Sequence, residues 1–355
     1  MSGVLNVFTG SAFNVMELTD AINKVPYIPA FLGDIGLFQE QGITTKNAMI
    51  EERQGVLSLV PFSARLARTN VTPKPYVREA RPFAVPHAQL DDAVFAEDVQ
   101  DVRAFGTENQ TETIAQLVTE KLTVARQSLE ATEEFWRIGA IQGQLLDADG
   151  STVVYDWFDE FGVTEKEVTF DLTSSSYNFK TGTSEVIRHI QDSLGATPYS
   201  YILALCGDQW FDEFVTNPSV EEAYQRWMNG TNGGAFFRST QVRAGMNNGG
   251  QGSRVPMFEF QGIMWANYRG FIGTQSYIPT NTARFFPVGA PSVFKTYYAP
   301  APFPETVNTM GQPTYARQTM MQSGLGVDLH IEKNALCICQ RPGCLVKGIN
   351  GGSGS

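Results

Sequence analysis

Apolar residues recur three or four apart at Ile114, Leu117, Val118, Leu122, Ala125, Leu129, Trp136, Ile141 and Leu145. That period gathers them on one stripe of an α-helix and predicts a single long helix over Thr111–Leu146. Thr111 or Thr113 is placed to cap its start, and Glu112 suits the positive end of the helix dipole. At about 1.5 Å per residue the segment would run on the order of 50 Å. The mean helix of a globular protein has only about 11 residues, so this one reads as a strut. Its heptad pattern is broken, which disfavours a coiled coil. Proline placement agrees: none of the 18 prolines falls between His87 and Thr197. A proline inside a helix removes a donor and clashes with the preceding turn.

The pattern differs upstream. Ile43 to Leu90 alternates β-branched and polar residues, breaks at Gly55 and carries prolines at 61, 73, 75, 82 and 86. Prolines at that density exclude a central strand. The segment reads as a long two-stranded excursion turning near Asn70–Pro75. Such a hairpin is marginally stable alone and needs a surface to lie against. Downstream, Asp149-Gly150 signals a tight turn, after which "STVVYDWFDEFGV" and "EVTFDL" read as strands. "TSEVIRHIQDSLG" reads as a short helix capped by Thr183 or Ser184 and closed by Gly195. "YSYILALC" is a buried strand, and two short helices follow, broken at Pro218. "VPMFEFQGIMWANYRG" forms a β-hairpin, and long strands close the chain. The fold class is α+β.

Composition narrows the partners. With 355 residues, 42% of them hydrophobic, the chain can build one large or two to three small cores. A net charge of −11 is unsuited to gripping DNA or an anionic membrane over the whole surface. No 18-residue apolar run is present, so no transmembrane helix is expected. The first 20 residues lack the basic and apolar regions of a signal peptide. Four cysteines are too few for a disulfide scaffold and suit a reducing compartment.

Charge is distributed unevenly. Arg65, Arg68, Lys74, Arg78 and Arg81 face only Glu79 within the proline-rich arm. The next stretch carries Asp91, Asp92, Glu97, Asp98, Asp101, Glu108, Glu112 and Glu120 against Arg103 alone. A basic arm of one copy could therefore lie across the acidic region of the next, with the charges setting register. Exposed pairs are worth only ~0–1 kcal/mol each, so apolar contact must supply most of the adhesion. Acceptors are sought among Glu97, Asp98, Asp101, Glu130, Glu133 and Glu134.

Chemistry is sparse. Asp147, Asp149 and Ser151 alternate like calcium ligands. However, Gly150 falls at the fourth position of the loop instead of the sixth, and Phe158 stands where a bidentate Glu is needed. A turn between helix and strand is the better reading. Cys337 and Cys339 form a C-x-C that puts both sulfurs on one face of a strand, unlike the C-x₂₋₄-C of zinc knuckles. A zinc site with Cys344 would need a distant ligand such as His330 or Cys206, and buried small hydrophobes explain the set better. His87, His189 and His330 are scattered, and no nucleophile elbow, phosphate loop or H-E-x-x-H occurs. No cofactor, metal or catalytic residue is assigned. A hydrolase or metal enzyme with a proline-rich lid stays the alternative class.

Four strings occur in order: "PAFLGDIGLFQEQGITTKNAMIEERQGVLSLV" (Pro29 to Val60), "ATEEFWRIGAIQGQLLDADGSTVVYDWF" (Ala131 to Phe158), "KTYYAPAPFPETVNTMGQPTYARQ" (Lys295 to Gln318) and "EKNALCICQRPGCLVK" (Glu332 to Lys347). Together they resemble the family of phage lambda's major capsid protein, which has the Hong Kong 97 capsid fold. The resemblance implies an N-arm over 1–41, an E-loop hairpin over 42–90 and a P-domain over 91–183 with its spine helix at about 111–146. It implies an A-domain over 184–310, a return through the P-domain over 311–334, a closing A-domain segment over 335–350 and a tail over 351–355. It further implies a non-enzymatic major capsid protein of the virion, made in the host cytoplasm. Copies would assemble into pentamers and hexamers of an icosahedral shell around double-stranded DNA, with scaffold, portal and decoration proteins as further partners. An encapsulin-type compartment shares the fold, but the four strings favour the phage family.

Overall fold

The computed structural model describes residues 31–54, 77–99, 114–174, 177–221, 257–269, 271–272 and 275–351. The strands are β1 Gln39–Gly42, β2 Asn47–Gln54, β3 Val77–Ala84, β4 His87–Phe95, β5 Gln144–Leu146, β6 Val153–Asp156, β7 Lys166–Phe170, β8 Tyr201–Cys206, β9 Met257–Phe260, β10 Ile263–Asn267, β11 Phe271–Ile272, β12 Gln275–Ser276, β13 Thr282–Val288, β14 Phe294–Tyr298, β15 Tyr315–Met320, β16 Gly326–Cys339 and β17 Val346–Asn350. The α-helices among the described residues include one long helix, Ile114–Gln142, and shorter ones at Phe31–Asp34, Trp157–Phe161, Phe179–Leu194 and Asp208–Thr216.

Two sheets organise these elements. Six strands run in the order β7-β17-β13-β8-β10-β9. In the other sheet β16 is shared along its length. Its Ala335–Cys339 half pairs with β14, and its Gly326–Glu332 half lies between β15 and β4. β1 joins that sheet at the free edge of β14, in parallel. β2 and β3 pair antiparallel and form a separate two-stranded sheet.

The long helix spans two cores. Its first half packs Val118, Leu122 and Leu129 onto Val94, Ala316, Val327, Leu329 and Ile331 of β4, β15 and β16. Its second half, from Glu133 to Ile141, is buried at every position, so there it is enclosed by the main core instead of lying on a surface. The helix ends at Gln142, four residues short of the expected Leu146. Gly143 adopts φ +84°, a left-handed conformation that favours glycine, and a Cβ there would run into the Phe158 ring. Gln144–Leu146 then pairs with β6. The expected caps at Thr111 or Thr113 lie outside the described residues.

Three further boundaries depart from expectation. "STVVYDWFDEFGV" is a strand only through Asp156. The Asp156 side chain accepts from the Phe158 and Asp159 amides and starts the helix Trp157–Phe161, which Gly162 closes at φ 63°. The helix expected from Thr183 begins at Phe179 behind an Asn178 cap, and Thr183 sits inside it, buried. His87–Leu90, read as the end of the hairpin arm, already belongs to β4 and pairs with β16.

The six-stranded sheet is filled by aromatics. Trp265 lies 4.4 Å from Phe214 and 5.4 Å from Trp210 between ring centroids, and Phe170 stacks on Phe285 at 5.7 Å. Among the described residues the hairpin is held differently, at its root. There Phe83, 3% exposed, meets Tyr155, Trp157 and Phe161 at 5.6, 5.5 and 6.1 Å.

Candidate functional site

The most elaborate polar site lies under the second half of the long helix. Glu130, Glu133, Glu134 and Arg137 share one helical face by their three- and four-residue spacing. Lys333 from β16, Tyr298 from β14 and Glu40 from β1 converge on them. The group lines a cavity of about 410 Å³ together with Gly311–Thr314. Arg137 donates to Glu133 at 2.6 Å and to Glu40 at 2.8 Å. The Tyr298 hydroxyl donates to Glu133 Oε1 at 2.8 Å, and Lys333 Nζ donates to Glu133 Oε2. Burial by itself would raise the Glu133 pKa, but Lys333 and Arg137 overcome it and hold the carboxyl down to about 2.

Glu134, the adjacent residue, is placed oppositely. Its Oε1 accepts from the Leu32 amide at 3.0 Å and the Tyr268 hydroxyl at 3.3 Å. Its Oε2 is buried without a hydrogen-bond partner. Burial lifts its pKa to about 7, against the Leu32 hydrogen bond and the attraction of Arg137. Glu130 pairs with Arg126 at 2.6 Å through one oxygen and leaves the other, also buried, unpartnered.

The acidic residues expected to receive a basic arm thus divide. Glu133 is saturated within its own chain, which removes it as an acceptor. Glu130 and Glu134 keep a free oxygen each. Glu97 is exposed on the turn Ala96–Val99, and Asp98 beside it accepts from the Phe95 amide at 2.9 Å. Asp101 lies outside the described residues, as do Arg65, Arg68 and Lys74 of the arm. Arg78 stands opposite Arg53 in the β2–β3 ladder. Arg81 lies over the Phe161 ring at 5.5 Å, a cation–π contact at the hairpin root. Arg126, Arg137, Lys333, Glu40 and Tyr298 were not anticipated. The pairs Arg126–Glu130 and Glu133–Arg137 have i,i+4 spacing legible in the sequence, whereas Lys333 is 200 residues from Glu133.

The remaining chemical candidates are occupied locally. Both Asp149 oxygens accept from Ser151 and Thr152, at 2.7–2.9 Å. The Thr152 amide leads these donors in holding the carboxyl well below its ordinary range. It is a turn-closing side chain. Cys206, Cys337, Cys339 and Cys344 are buried free thiols, and Cys337 lies 3.6 Å from the Thr296 hydroxyl. His330 bonds Asp91 at 2.7 Å. Among the described residues no three His, Cys, Asp or Glu side chains are grouped to hold a metal ion. Nor is any described helix long and apolar enough to cross a membrane.

A strut helix bridging two cores, a two-stranded hairpin and an aromatic-filled sheet make up a fold of the Hong Kong 97 type. The same fold occurs in a proposed capsid protein of a prophage of E. coli CFT073, at TM-score 0.59 and 10% identity over 95% of this chain and 99% of that one. The chain belongs to the family phage major capsid protein E, whose model matches residues 14–350. It is similar to the major capsid protein of Pseudomonas phage KPP10, 29% identical over 95% of this chain and 96% of that protein. The major capsid protein of Salmonella phage Felix O1 is 24% identical over the same shares. Members of this family are structural virion proteins that associate with copies of themselves into the capsid shell, and that is the function of this chain.

Proposed function

We propose that the chain tiles an icosahedral shell of pentamers and hexamers around double-stranded DNA, after assembly in the host cytoplasm with scaffold, portal and decoration proteins as partners. In this reading the N-arm reaches an adjacent subunit through residues 1–30, because 31–41 pack within their own chain, and the E-loop laid across a neighbour is 42–86, because His87–Leu90 belong to β4. Residues 91–183 and 311–334 form the P-domain, and 184–310 with 335–350 the A-domain at the local symmetry axis. The observation that carries it is the β2–β3 ribbon. It pairs with no other strand among the described residues, is anchored by Phe83 and leaves Met49 58% exposed. A two-stranded sheet of that kind is marginal alone and gains stability from a second molecule.

The arm's Arg65, Arg68, Lys74, Arg78 and Arg81 meet acceptors among Glu97, Asp98, Asp101, Glu130 and Glu134. A net charge of −11 suits a container that does not grip its DNA. Family membership favours this structural role over an enzyme with a proline-rich lid and over an encapsulin-type compartment. Charge reversal at Arg65 plus Arg68 tests the arm. Fewer and weaker shells are expected by sedimentation and negative-stain microscopy, and wild-type yield and stability would overturn the assignment.

A further inference from the structure

Among the described residues, the cavity under the long helix is one cation short. Its lining holds Glu40, Glu130, Glu133 and Glu134 against Arg126, Arg137 and Lys333. The three cations are committed: Arg126 to Glu130, Arg137 to Glu133 and Glu40, Lys333 to Glu133. Glu134 is 4% exposed and forms no ion pair among the described residues. Three buried atoms of the lining lack a partner: Glu130 Oε2, Glu134 Oε2 and Arg137 Nε. Two acceptors and one donor match a cationic side chain arriving with its own backbone, whose carbonyl can take the Arg137 N–H. The cavity reaches the surface beside Glu40, whose side chain is 51% exposed. A metal ion fits poorly, because no trio of its ligands is grouped there among the described residues.

We propose that this cavity receives one guanidinium or ammonium group from a second copy of the chain, held by Glu134 and Glu130. The proposal rests on the reading that a basic arm overlaps a neighbour, since that arm carries the cations in excess. An unpaired buried carboxylate costs the lone subunit stability, and the incoming cation relieves that cost on assembly.

Glu134→Gln separates the two states. The unassembled protein should melt at the same or a higher temperature than wild type, while shells should dissociate at lower denaturant. Equal losses in both states would make Glu134 an intrachain support, and unchanged shells would leave the cavity without a role; either outcome overturns the proposal. Should the variant not fold, a reconstruction of wild-type shells carries the test. A basic side chain of a neighbour within hydrogen-bond distance of Glu134 is expected. Water or a small free cation in its place overturns the proposal. If reversal of Arg65 and Arg68 weakens shells while Glu134→Gln does not, the arm reading stands and the cavity inference falls. The reverse result leaves the cavity filled from another segment of the second copy.

Discussion

The six-stranded domain and the hairpin-bearing region hold themselves together by different means. In the first, Phe170, Trp210, Phe214, Trp265 and Phe285 interlock, and the strands β8, β10 and β13 are almost wholly buried. Its stability is internal, because each ring it hides has a neighbour in the same chain. In the second, the apolar surface is left partly open. Met49, Phe95, Val124, Met320 and Leu325 are 43–64% exposed, and the interior between the two regions is wired with charge. Burying charge is a poor way to gain stability. A cluster such as Glu133–Arg137–Lys333 serves better to fix one geometry between helix and sheet. The contrast is between a core completed within the chain and an apolar surface that the described residues leave partly open.

The largest expected effect lies in the self-contained region. Trp265→Ala removes a ring that is fully buried and touches Trp210, Phe214 and Phe285. Truncating a buried Trp costs on the order of 3–5 kcal/mol. Denaturant unfolding of the unassembled protein should show that loss, and shells should be lost with it. A small loss would mean that this core is not what holds the subunit.

A smaller but still severe effect is expected where the two regions meet. Glu133→Gln strands Lys333, which is 2% exposed, without its carboxylate. The folded pKa of Glu133 is about 2 against an ordinary 4.5. Its contribution is therefore present above pH 4.5 and is lost as pH falls through 2, about 3 kcal/mol in all. The variant should lose about that much at pH 7 and show a flatter acid limb. Glu134 acts with the opposite sign. Its folded pKa of about 7 means that the folded protein keeps a proton the unfolded chain has released. Stability should thus decline as pH rises from 4.5 to 7, and Glu134→Gln should abolish that decline. Stability curves of both variants across pH 2–8 would break the comparison if the two slopes had the same sign.

How much of this was legible in the sequence follows from the range of the interactions. The long helix, the hairpin β9–β10, the buried β8 and the closing strands come from periodicity and proline placement, which are local. The helix Trp157–Phe161 is hidden because five residues are too few to show a helical period and they follow a β-branched run, so only the Asp156 cap and Gly162 betray it. The division between Glu133 and Glu134 could not be read at all. Both are acids on one helix, and their difference depends on Lys333, Tyr298, Leu32 and Tyr268, all distant in sequence. In the sequence Arg81 counts among the arm's cations that seek a neighbour's acids, whereas its guanidinium rests on Phe161 of its own chain, a residue of that short helix.

Arg81 therefore offers the finest test of the contrast. A cation–π contact at a partly exposed site is worth about 0.5–1 kcal/mol, so Arg81→Ala should lower the melting temperature of the unassembled protein only slightly. Phe83 still anchors the ribbon through Tyr155 and Trp157, and the Tyr155 hydroxyl still bonds the Ala84 carbonyl at 3.1 Å. What the arginine adds is a second contact at the root, on Phe161. With that contact removed the ribbon can pivot, and a small angle at the root becomes a large displacement further along β2 and β3. Shell stability should then fall by more than subunit stability, measured as the difference between dissociation and unfolding midpoints. Arg81→Lys keeps the charge but not the planar face that rests on the ring, so it should recover only part of the loss. Full recovery by lysine would show that charge, not direction, is what the root of the hairpin supplies.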